Sequence, residues 1–348
     1  MGCLPPPTRA DSGGAAHIRD WAPAACNWPA FSPGRSLADK ELALNSEIPI
    51  PLINASYRAK RLFCLSFEPD PVFSPAMHIL RHVDLTKVFF VDIETVPFHH
   101  NHDQLDPAQQ GLWKKFCGRR HAREVAEGQT HGDLYHNAGL YAEFGRVVCI
   151  SVGYFRPLTD GGLEFRVKSF ADDDECLVLG GFAQLLAGKA PASQEYRPKL
   201  DRATKDGHYL CAHNGREFDF GYLGRRMLIC GQELPAMLDI AGHKPWDLPH
   251  LLDTMDLWKF GDNKGHITLP LLAGIFGIPS PKDDIDGAQV GHTYWVEKNL
   301  ARIVTYCEKD IITTARIYLH YTGQQALWPD VRVTHTAWPV APAMRIVV

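Results

Sequence analysis

The stretch Val88-Phe89-Phe90-Val91-Asp92-Ile93-Glu94-Thr95 decides the fold. Its first four residues are β-branched or aromatic, which predicts a short buried strand. Side chains alternate along a strand, so Asp92 and Glu94 point to the same side. Two carboxylates at the end of a buried strand repel each other and lose water, and a divalent cation with oxygen ligands would reverse that cost. The alternative is a strand that ends in solvated acids.

The composition bounds the class of protein. The chain has 348 residues, 45% hydrophobic and 22% charged, which is enough for one large or two ordinary domains with a sizeable core. The net charge of −4 excludes a globally basic surface, so a nucleic-acid enzyme would rely on a local groove and on metals. Nine scattered cysteines without a C-x-x-C pair favour a reducing cytoplasm, and no apolar run reaches membrane-spanning length.

The sequence divides into three parts. Residues 1–76 are rich in Pro, Gly, Ala and Ser and lack hydrophobic periodicity, which predicts a disordered or spurious extension upstream of Met77; a genuine N-terminal tail is the alternative. Residues 77–322 form the predicted domain, with a helical insertion at about 99–144. Residues 323–348 show no usable pattern and are predicted to be an irregular tail.

Within the central part, strands and helices alternate as in an α/β protein. Strands are predicted at 145–155, 162–169 and 208–212, with helices ending near Leu186 and Cys230. The clearest helix is predicted from Tyr294 to Tyr321, because its apolar residues recur at helical spacing.

Three more residues join the acids of the first strand. Asp219 follows the strand at 208–212 and begins a helix, whereas Tyr306 and Asp310 lie one turn apart on the long helix. Four acids meeting at one point are unfavourable without cations. Two divalent ions about 3.5–4 Å apart would turn them into the clamp that hydrolyses phosphodiesters. A tyrosine beside the attacking water can position it.

These residues carry a family resemblance. Asp92-Ile93-Glu94, Asn214-Gly215-Arg216-Glu217-Phe218-Asp219 and Tyr306-Cys307-Glu308-Lys309-Asp310 fit the patterns D-x-E, N-x-x-x-F-D and Y-x-x-x-D in order. The chain from about Leu85 to Tyr321 thereby resembles the DEDDy group of 3′–5′ exonucleases. It most resembles stand-alone bacterial proteins similar to the proofreading domain of family-B DNA polymerases. Thr305 stands where the sister DEDDh group has histidine, so the tyrosine subtype is indicated.

The resemblance implies an RNase H-like fold, a mixed central β-sheet flanked by helices, and two Mg²⁺ or Mn²⁺ ions. Asp92, Glu94, Asp219 and Asp310 would then be metal ligands, and Tyr306 would orient the nucleophilic water. The resemblance also implies substrate contacts, which the remaining motif residues and nearby cations would make: Thr95 at the 3′-terminal nucleotide, Asn214 and Phe218 near the scissile phosphate, and Arg216, Arg225, Arg226 and Lys282 at other phosphates.

Alternatives stay open at several positions. Phe218 fits core packing as well as base stacking, and each cation fits a solvated surface charge. The run Trp258-Lys259-Phe260 fits either a core segment or a lining of the strand path. His99-His100-Asn101-His102-Asp103 fits a hydrated loop better than a zinc site.

The expected activity is metal-dependent 3′–5′ hydrolysis of single-stranded ends, with DNA favoured as substrate. Rivals are an exoribonuclease of the RNase D type, a non-catalytic single-strand-binding module on this fold, and an unrelated phosphate-cleaving metalloenzyme. No motif reads the 2′-hydroxyl that distinguishes RNA from DNA. The chain has no room for polymerase palm or fingers, so it would act alone or with a polymerase or repair partner in trans.

Overall fold

A central strand, β1 (Val88–Pro97), organises the described structure. The computed structural model describes residues 77–189, 207–262, 265–280 and 284–336. Phe89 and Val91 pack into the core on one face of β1, and Phe90 packs into the core on the other face. Because both faces are covered, the strand reads as an unbroken apolar run until Asp92, as its sequence predicted.

The other five strands complete one mixed sheet. They are β2 (Gly145–Pro157), β3 (Leu163–Ala171), β4 (Tyr209–Ala212), β5 (Leu251–Asp253) and β6 (Val331–Thr336). The order is β5-β4-β1-β2-β3-β6. The β1–β2 and β2–β3 pairs are antiparallel, whereas β1–β4, β4–β5 and β3–β6 are parallel. The predicted α/β class with a mixed central sheet, the RNase H-like arrangement, is confirmed.

Helices cover both faces of this sheet. They are α1 (Pro107–Arg120), α2 (Ala122–Ala126), α3 (Glu175–Leu186), α4 (Asp219–Ile229), α5 (Thr254–Lys259), α6 (Leu269–Ile275), α7 (Val290–Trp295) and α8 (Leu300–Tyr321). Helices α3 and α4 share a core with Phe89 and Val91, whereas α6 and α8 share one with Phe90. The sheet is therefore enclosed between two helical layers, whereas α1 and α2 belong to the segment between β1 and β2.

The segment between β1 and β2 is the predicted helical insertion. It contains α1, α2 and a 3-10 helix, Asp133–Leu140. Trp113 is completely buried in its small separate core, and its indole N–H donates to the carbonyl of His131 at 2.7 Å. The 3-10 helix packs against β1, which brings the insertion to the end of the strand that carries the two acids.

The long helix predicted from Tyr294 to Tyr321 is broken in the structure. Helix α7 ends at Trp295, Lys298 adopts a left-handed conformation with φ of 54°, and α8 begins at Leu300. The Asn299 side chain accepts the N–H of Arg302 at 3.1 Å and caps α8. The prediction of one helix was therefore wrong at its start, because a capping asparagine followed by a new apolar run resembles helix interior when only periodicity is read.

The predicted irregular tail at 323–348 was wrong over its first part. Gln325–Asp330 is a 3-10 helix, and β6 adds an edge strand in parallel to β3. An edge strand pairs on one side only, so its weak burial pattern gave little periodic signal. Residues 337–348 and the predicted extension at 1–76 lie outside the described residues.

Two further predictions concern membrane-spanning helices and the redox state of the cysteines. Across the described residues, no helix has both the length and the apolar character that a bilayer crossing requires. The six cysteines in the same part of the chain are free thiols. The cytoplasmic location stays a prediction.

Candidate active site

The two acids of β1 lie against α8. The Glu94 side chain is buried and Asp92 is half-buried. The register of the β1–β2 pair shifts at Glu94 and Thr95. This β-bulge changes the direction of the side chains at the end of β1. From α8, the Cys307 thiol approaches Asp92 Oδ2 at 3.3 Å, and donor atoms of Asp92, Glu94 and Cys307 all lie within 4.8 Å of one another.

Asp219 reaches the same place from a different element. It is the first residue of α4 and is 4% exposed. The β1–β4 pairing ends at Phe90, and beyond it the backbone N–H of Ile93 donates to the Asp219 carboxylate. Burial, then the charges of Asp253 and Asp310, raise the pKa of Asp219 to about 7. The end of β1 is thus tied directly to the start of α4.

Tyr306 and Asp310 come from α8. They are 7% and 8% exposed, and the tyrosine hydroxyl donates to the Asp310 carboxylate. Burial raises the pKa of Tyr306 far above its ordinary value, and the negative charges of Asp310, Glu94 and Asp92 raise it further. The one-turn spacing predicted from the sequence therefore places both side chains beside the acids of β1.

The four carboxylates share one electrostatic environment. Burial raises the pKa of Asp92, and the charges of Asp310 and Asp219 raise it further. Burial likewise raises the pKa of Glu94, followed by the charges of Asp92 and Asp310. Four buried acids that repel one another are a poor arrangement unless cations compensate them. Their oxygen-rich donor set fits a hard divalent ion such as Mg²⁺ or Mn²⁺.

Asp253 organises the loop that precedes Asp219, and the sequence interpretation missed it. This carboxylate is 2% exposed and accepts backbone N–H groups of Asn214 at 2.9 Å, Arg216 at 3.0 Å, Met255 at 2.9 Å and Asp256 at 3.3 Å. It therefore caps α5 and fixes the loop at once. The available signal was Leu251-Leu252-Asp253, an apolar run that ends in an acid as β1 does.

Cys307 is the other residue that the sequence interpretation did not assign to the site. Its thiol is fully buried between α8 and β1, and it approaches both the backbone oxygen and the carboxylate of Asp92. The helical spacing from Ile303 through Cys307 to Ile311 was a signal that this side chain faces the sheet.

Thr95 contacts the insertion. Its hydroxyl donates to the Gly139 carbonyl at 2.8 Å, and the Tyr222 hydroxyl of α4 donates to the same oxygen at 2.9 Å. One carbonyl of the insertion therefore joins the ends of β1 and α4. Contact of Thr95 with a nucleotide stays a prediction.

Asn214 and Phe218 lie in the loop between β4 and α4. Asn214 has a left-handed backbone with φ of 67°, and its Oδ1 is buried without a hydrogen-bond partner among the described residues. Phe218 packs against the core, with its ring centroid 5.2 Å from that of Tyr222. The sequence left core packing and base stacking open for Phe218. In this structure, the ring packs against the core.

The candidate phosphate-binding cations have different surroundings. The Arg216 guanidinium donates to the carbonyls of Pro245, Leu248 and Leu251. Arg225 is about half exposed and lies 3.9 Å from Glu143. Arg226 is only 4% exposed and forms a bidentate ion pair with Glu175, so neither a phosphate contact nor a solvated charge describes it. Lys282 lies outside the described residues.

Comparisons with known proteins give a family. The family model described as a predicted 3′–5′ exonuclease related to the exonuclease domain of PolB matches residues 140–328, just over half of the chain. The matched part contains Asp219, Tyr306 and Asp310, whereas Asp92 and Glu94 precede it. No curated protein matches the chain.

One of the similar solved structures is the family B DNA polymerase from the hyperthermophilic archaeon Pyrobaculum calidifontis. The sequence identity is 17%, the TM-score is 0.35, and the match covers 69% of this chain and 26% of the polymerase chain. The matched part of this chain spans about a quarter of the length of that polymerase chain.

Proposed function

Because the chain belongs to the family of predicted 3′–5′ exonucleases related to the exonuclease domain of PolB, we propose that it is a divalent-metal-dependent enzyme of the DEDDy type. It hydrolyses phosphodiester bonds at the 3′ ends of single-stranded nucleic acid, with DNA as the preferred substrate. DNA is favoured by the relation of the family to PolB.

A single observation carries the proposal. Three separate elements, β1, α4 and α8, each deliver acids to one buried place beside one tyrosine. Asp219 and Asp310 lie in the part of the chain that matches the family model, and Asp92 and Glu94 supply the remaining carboxylates. A set of acids that costs stability when it is ionised without a metal is best understood as a cation site.

Asp92, Glu94, Asp219 and Asp310 would hold the ions. Two bound Mg²⁺ or Mn²⁺ ions would supply a hydroxide nucleophile and stabilise the charge that develops on the scissile phosphate. The protein fixes the carboxylates beforehand, since Asp219 accepts the Ile93 N–H and Asp92 lies against the Cys307 thiol.

Tyr306 contributes as a neutral phenol. Burial raises the pKa of Tyr306 and the neighbouring acids raise it further, so the hydroxyl is protonated in the metal-free site. A neutral phenol is a poor base, but it can donate one hydrogen bond to Asp310 and accept another from the attacking water. Its role is therefore to orient the water.

The test uses the full chain with single-stranded DNA and RNA of one sequence, labelled at the 5′ end, with Mg²⁺ or Mn²⁺. Asp92→Ala and Asp310→Ala are the inactive variants. Glu127→Gln is the matched control, because Glu127 is an exposed acid of the insertion paired with Arg123. Stepwise shortening by the wild-type and Glu127→Gln proteins, absent in both alanine variants, is the expected result.

Each rival has its own outcome. Faster shortening of RNA would replace the DNA preference with exoribonuclease activity. Binding without shortening under either metal would indicate a non-catalytic single-strand-binding module. Cleavage that does not need a free 3′ end would indicate a different metalloenzyme.

A further inference from the structure

Two aromatic rings, those of Trp246 and Phe260, are highly exposed. Phe260 is 79% exposed and Trp246 is 72% exposed, the two highest values among the large apolar side chains of the described residues. The sequence left Phe260 open between core packing and the strand path, and only its neighbour Trp258 packs in the core. Single exposed apolar side chains are common on protein surfaces, so a role for these two residues must follow from their backbone and their contacts.

The backbone conformation of Phe260 adds a conformational free-energy cost to the exposure of its ring. It is the C-cap of α5 and adopts a left-handed conformation with φ of 47° and ψ of 35°. Glycine is the usual residue at such a position, and a bulky residue there is an outlier. A strained backbone that presents an exposed ring is typical of sites that bind a ligand.

The residues that precede the two rings contact the segment Arg216–Glu217, which directly precedes Phe218 and Asp219. Arg216 Nη1 donates to the carbonyl of Pro245 at 2.8 Å, one residue before Trp246. Lys259 Nζ lies 3.9 Å from Glu217 Oε1, one residue before Phe260. These two contacts connect the residues that precede Trp246 and Phe260 to the loop that leads into the proposed active site.

A cation accompanies the Trp246 indole. Lys244 Nζ lies 5.2 Å from the centre of the Trp246 ring. Exposed aromatic rings with a nearby cation are typical of sites that bind single-stranded nucleic acid. Unpaired bases stack on the rings, and the cation contacts the phosphates. The bases of a duplex are already stacked and cannot use such rings.

We propose that Trp246 and Phe260, with Lys244, form an aromatic platform on which the bases upstream of the 3′ end stack. The platform rests on the proposed function, because it takes the substrate of that same site as its ligand. Its two rings would hold the strand while Asp219 and the other acids receive the terminal phosphodiester.

The first test measures binding without cleavage. Fluorescence anisotropy of a labelled long oligothymidylate in EDTA compares the wild-type protein with Trp246→Ala, Phe260→Gly and the double variant. Glycine suits the left-handed backbone at 260, so this substitution removes the ring without adding backbone strain, and a thermal unfolding curve of each variant checks that it is folded. Each single variant is expected to bind about tenfold more weakly. Trp246→Phe should retain most of the wild-type binding, because phenylalanine still provides a ring on which a base can stack.

The matched control is Leu228→Ala. Leu228 lies on α4 and is 63% exposed, so the substitution also removes an exposed apolar side chain close in sequence to the site. Its binding should equal that of the wild-type protein. Binding by the double variant within about twofold of wild type, or equal wild-type affinity for duplex and single strand, would overturn the platform.

The second test measures cleavage of a long oligothymidylate against a thymidine dinucleotide, which lacks upstream bases. The preference of kcat/KM for the long strand should be about 10–100-fold smaller in the double variant than in the wild-type protein, mainly through KM, because two stacking contacts are lost. An unchanged preference would contradict the platform. If the wild-type protein cuts neither substrate, the proposed exonuclease function fails, while the binding measurement still decides on the platform.

Discussion

In the proposed reaction, the uncharged phenol of Tyr306 orients the attacking water. Burial and the adjacent acids hold it neutral, and it donates to Asp310. Tyr306→Phe removes the hydroxyl and keeps the ring, so we expect kcat to fall about 10²-fold because the water loses its positioning partner. Single-turnover cleavage with saturating Mn²⁺ measures this.

The same variant should bind Mn²⁺ as the wild-type protein does, since the four carboxylates remain. A Tyr306→Phe protein with wild-type kcat would remove the tyrosine from the mechanism. A protein that loses Mn²⁺ affinity instead would assign Tyr306 a structural role in the cation site.

Arg226 offers a residue-scale test of stability. It and Glu175 are both buried and bonded in two places, at 2.9 Å and 2.6 Å, and Arg226 also donates to the Ala142 carbonyl. Arg226→Ala leaves Glu175 as an unpaired buried charge, so the free energy of unfolding should fall by about 3–5 kcal/mol. Urea unfolding measures it.

The neighbouring Arg225 is the matched control. It is about half exposed and lies 3.9 Å from a similarly exposed Glu143, so Arg225→Ala should change the free energy of unfolding by less than about 0.5 kcal/mol. Equal effects of the two substitutions would refute the buried pair as a stabilising contact. The two arginines are adjacent in sequence, and only the packing of α4 against α3 and β2 decides which one is buried.

At the scale of elements, Gly145 joins β2 to the insertion. A Cβ on Gly145 would collide with the Tyr222 hydroxyl and lie 2.9 Å from the backbone of Gly139. Because backbone cannot yield as a flexible side chain does, Gly145→Ala should lower the free energy of unfolding by about 1–3 kcal/mol. Gly111→Ala, with open space around it in α1, should leave stability unchanged or raise it.

Chemical unfolding of the two glycine variants, followed by tryptophan fluorescence, distinguishes them. A Gly145→Ala protein as stable as the wild type would mean that the insertion can move away from Tyr222 at little cost. The contact through Gly139 would then not fix the end of β1.

Elements that depend on local pattern were predictable, and those that depend on tertiary contacts were not. Strand β1 follows from an unbroken run of β-branched and aromatic residues, and helix α8 follows from apolar residues at a period of 3.6. Strand β6 needs β3 as a partner, and the break at Lys298 depends on the cap at Asn299. The exposed ring of Phe260 was equally undetermined, since the sequence gives no sign of its left-handed backbone.

At the scale of the whole molecule, the acidic site links folding to pH. The pKa of Asp219 is about 7 in the folded protein, against an ordinary value near 4. Between these values the folded state binds more protons than the unfolded state, so its stability falls as pH rises. The metal-free protein should therefore have a lower Tm at about pH 8 than at about pH 5.5.

Differential scanning fluorimetry in EDTA measures this dependence, with Asp219→Asn as the control. The asparagine variant lacks the titrating carboxyl, so its Tm should change less with pH. Added Mn²⁺ should raise the wild-type Tm most at the higher pH, where the acids are ionised. A wild-type Tm that rises steadily with pH in EDTA would contradict the assignment of a raised pKa to Asp219.

The order of the motifs along the chain was enough to predict which acids meet, because the two acids of β1 lie on the central strand, Asp219 begins a helix and Asp310 lies on a helix face turned to the sheet. The groups that hold those acids in place, Asp253 and Cys307, carry no motif of their own. Their roles depend on hydrogen bonds between segments distant in sequence, so only the folded structure identifies them.

The most direct measurement of the central claim is calorimetric titration of the full-length wild-type protein with Mn²⁺, beside Asp92→Asn and the Glu127→Gln control. Saturable binding by the wild-type and control proteins is expected, weakened by more than about tenfold in Asp92→Asn, since even changes around metal ligands cost about 10–100-fold. Equal Mn²⁺ binding by all three proteins, or none by the wild type, would contradict a divalent-cation site at the acids of β1, α4 and α8.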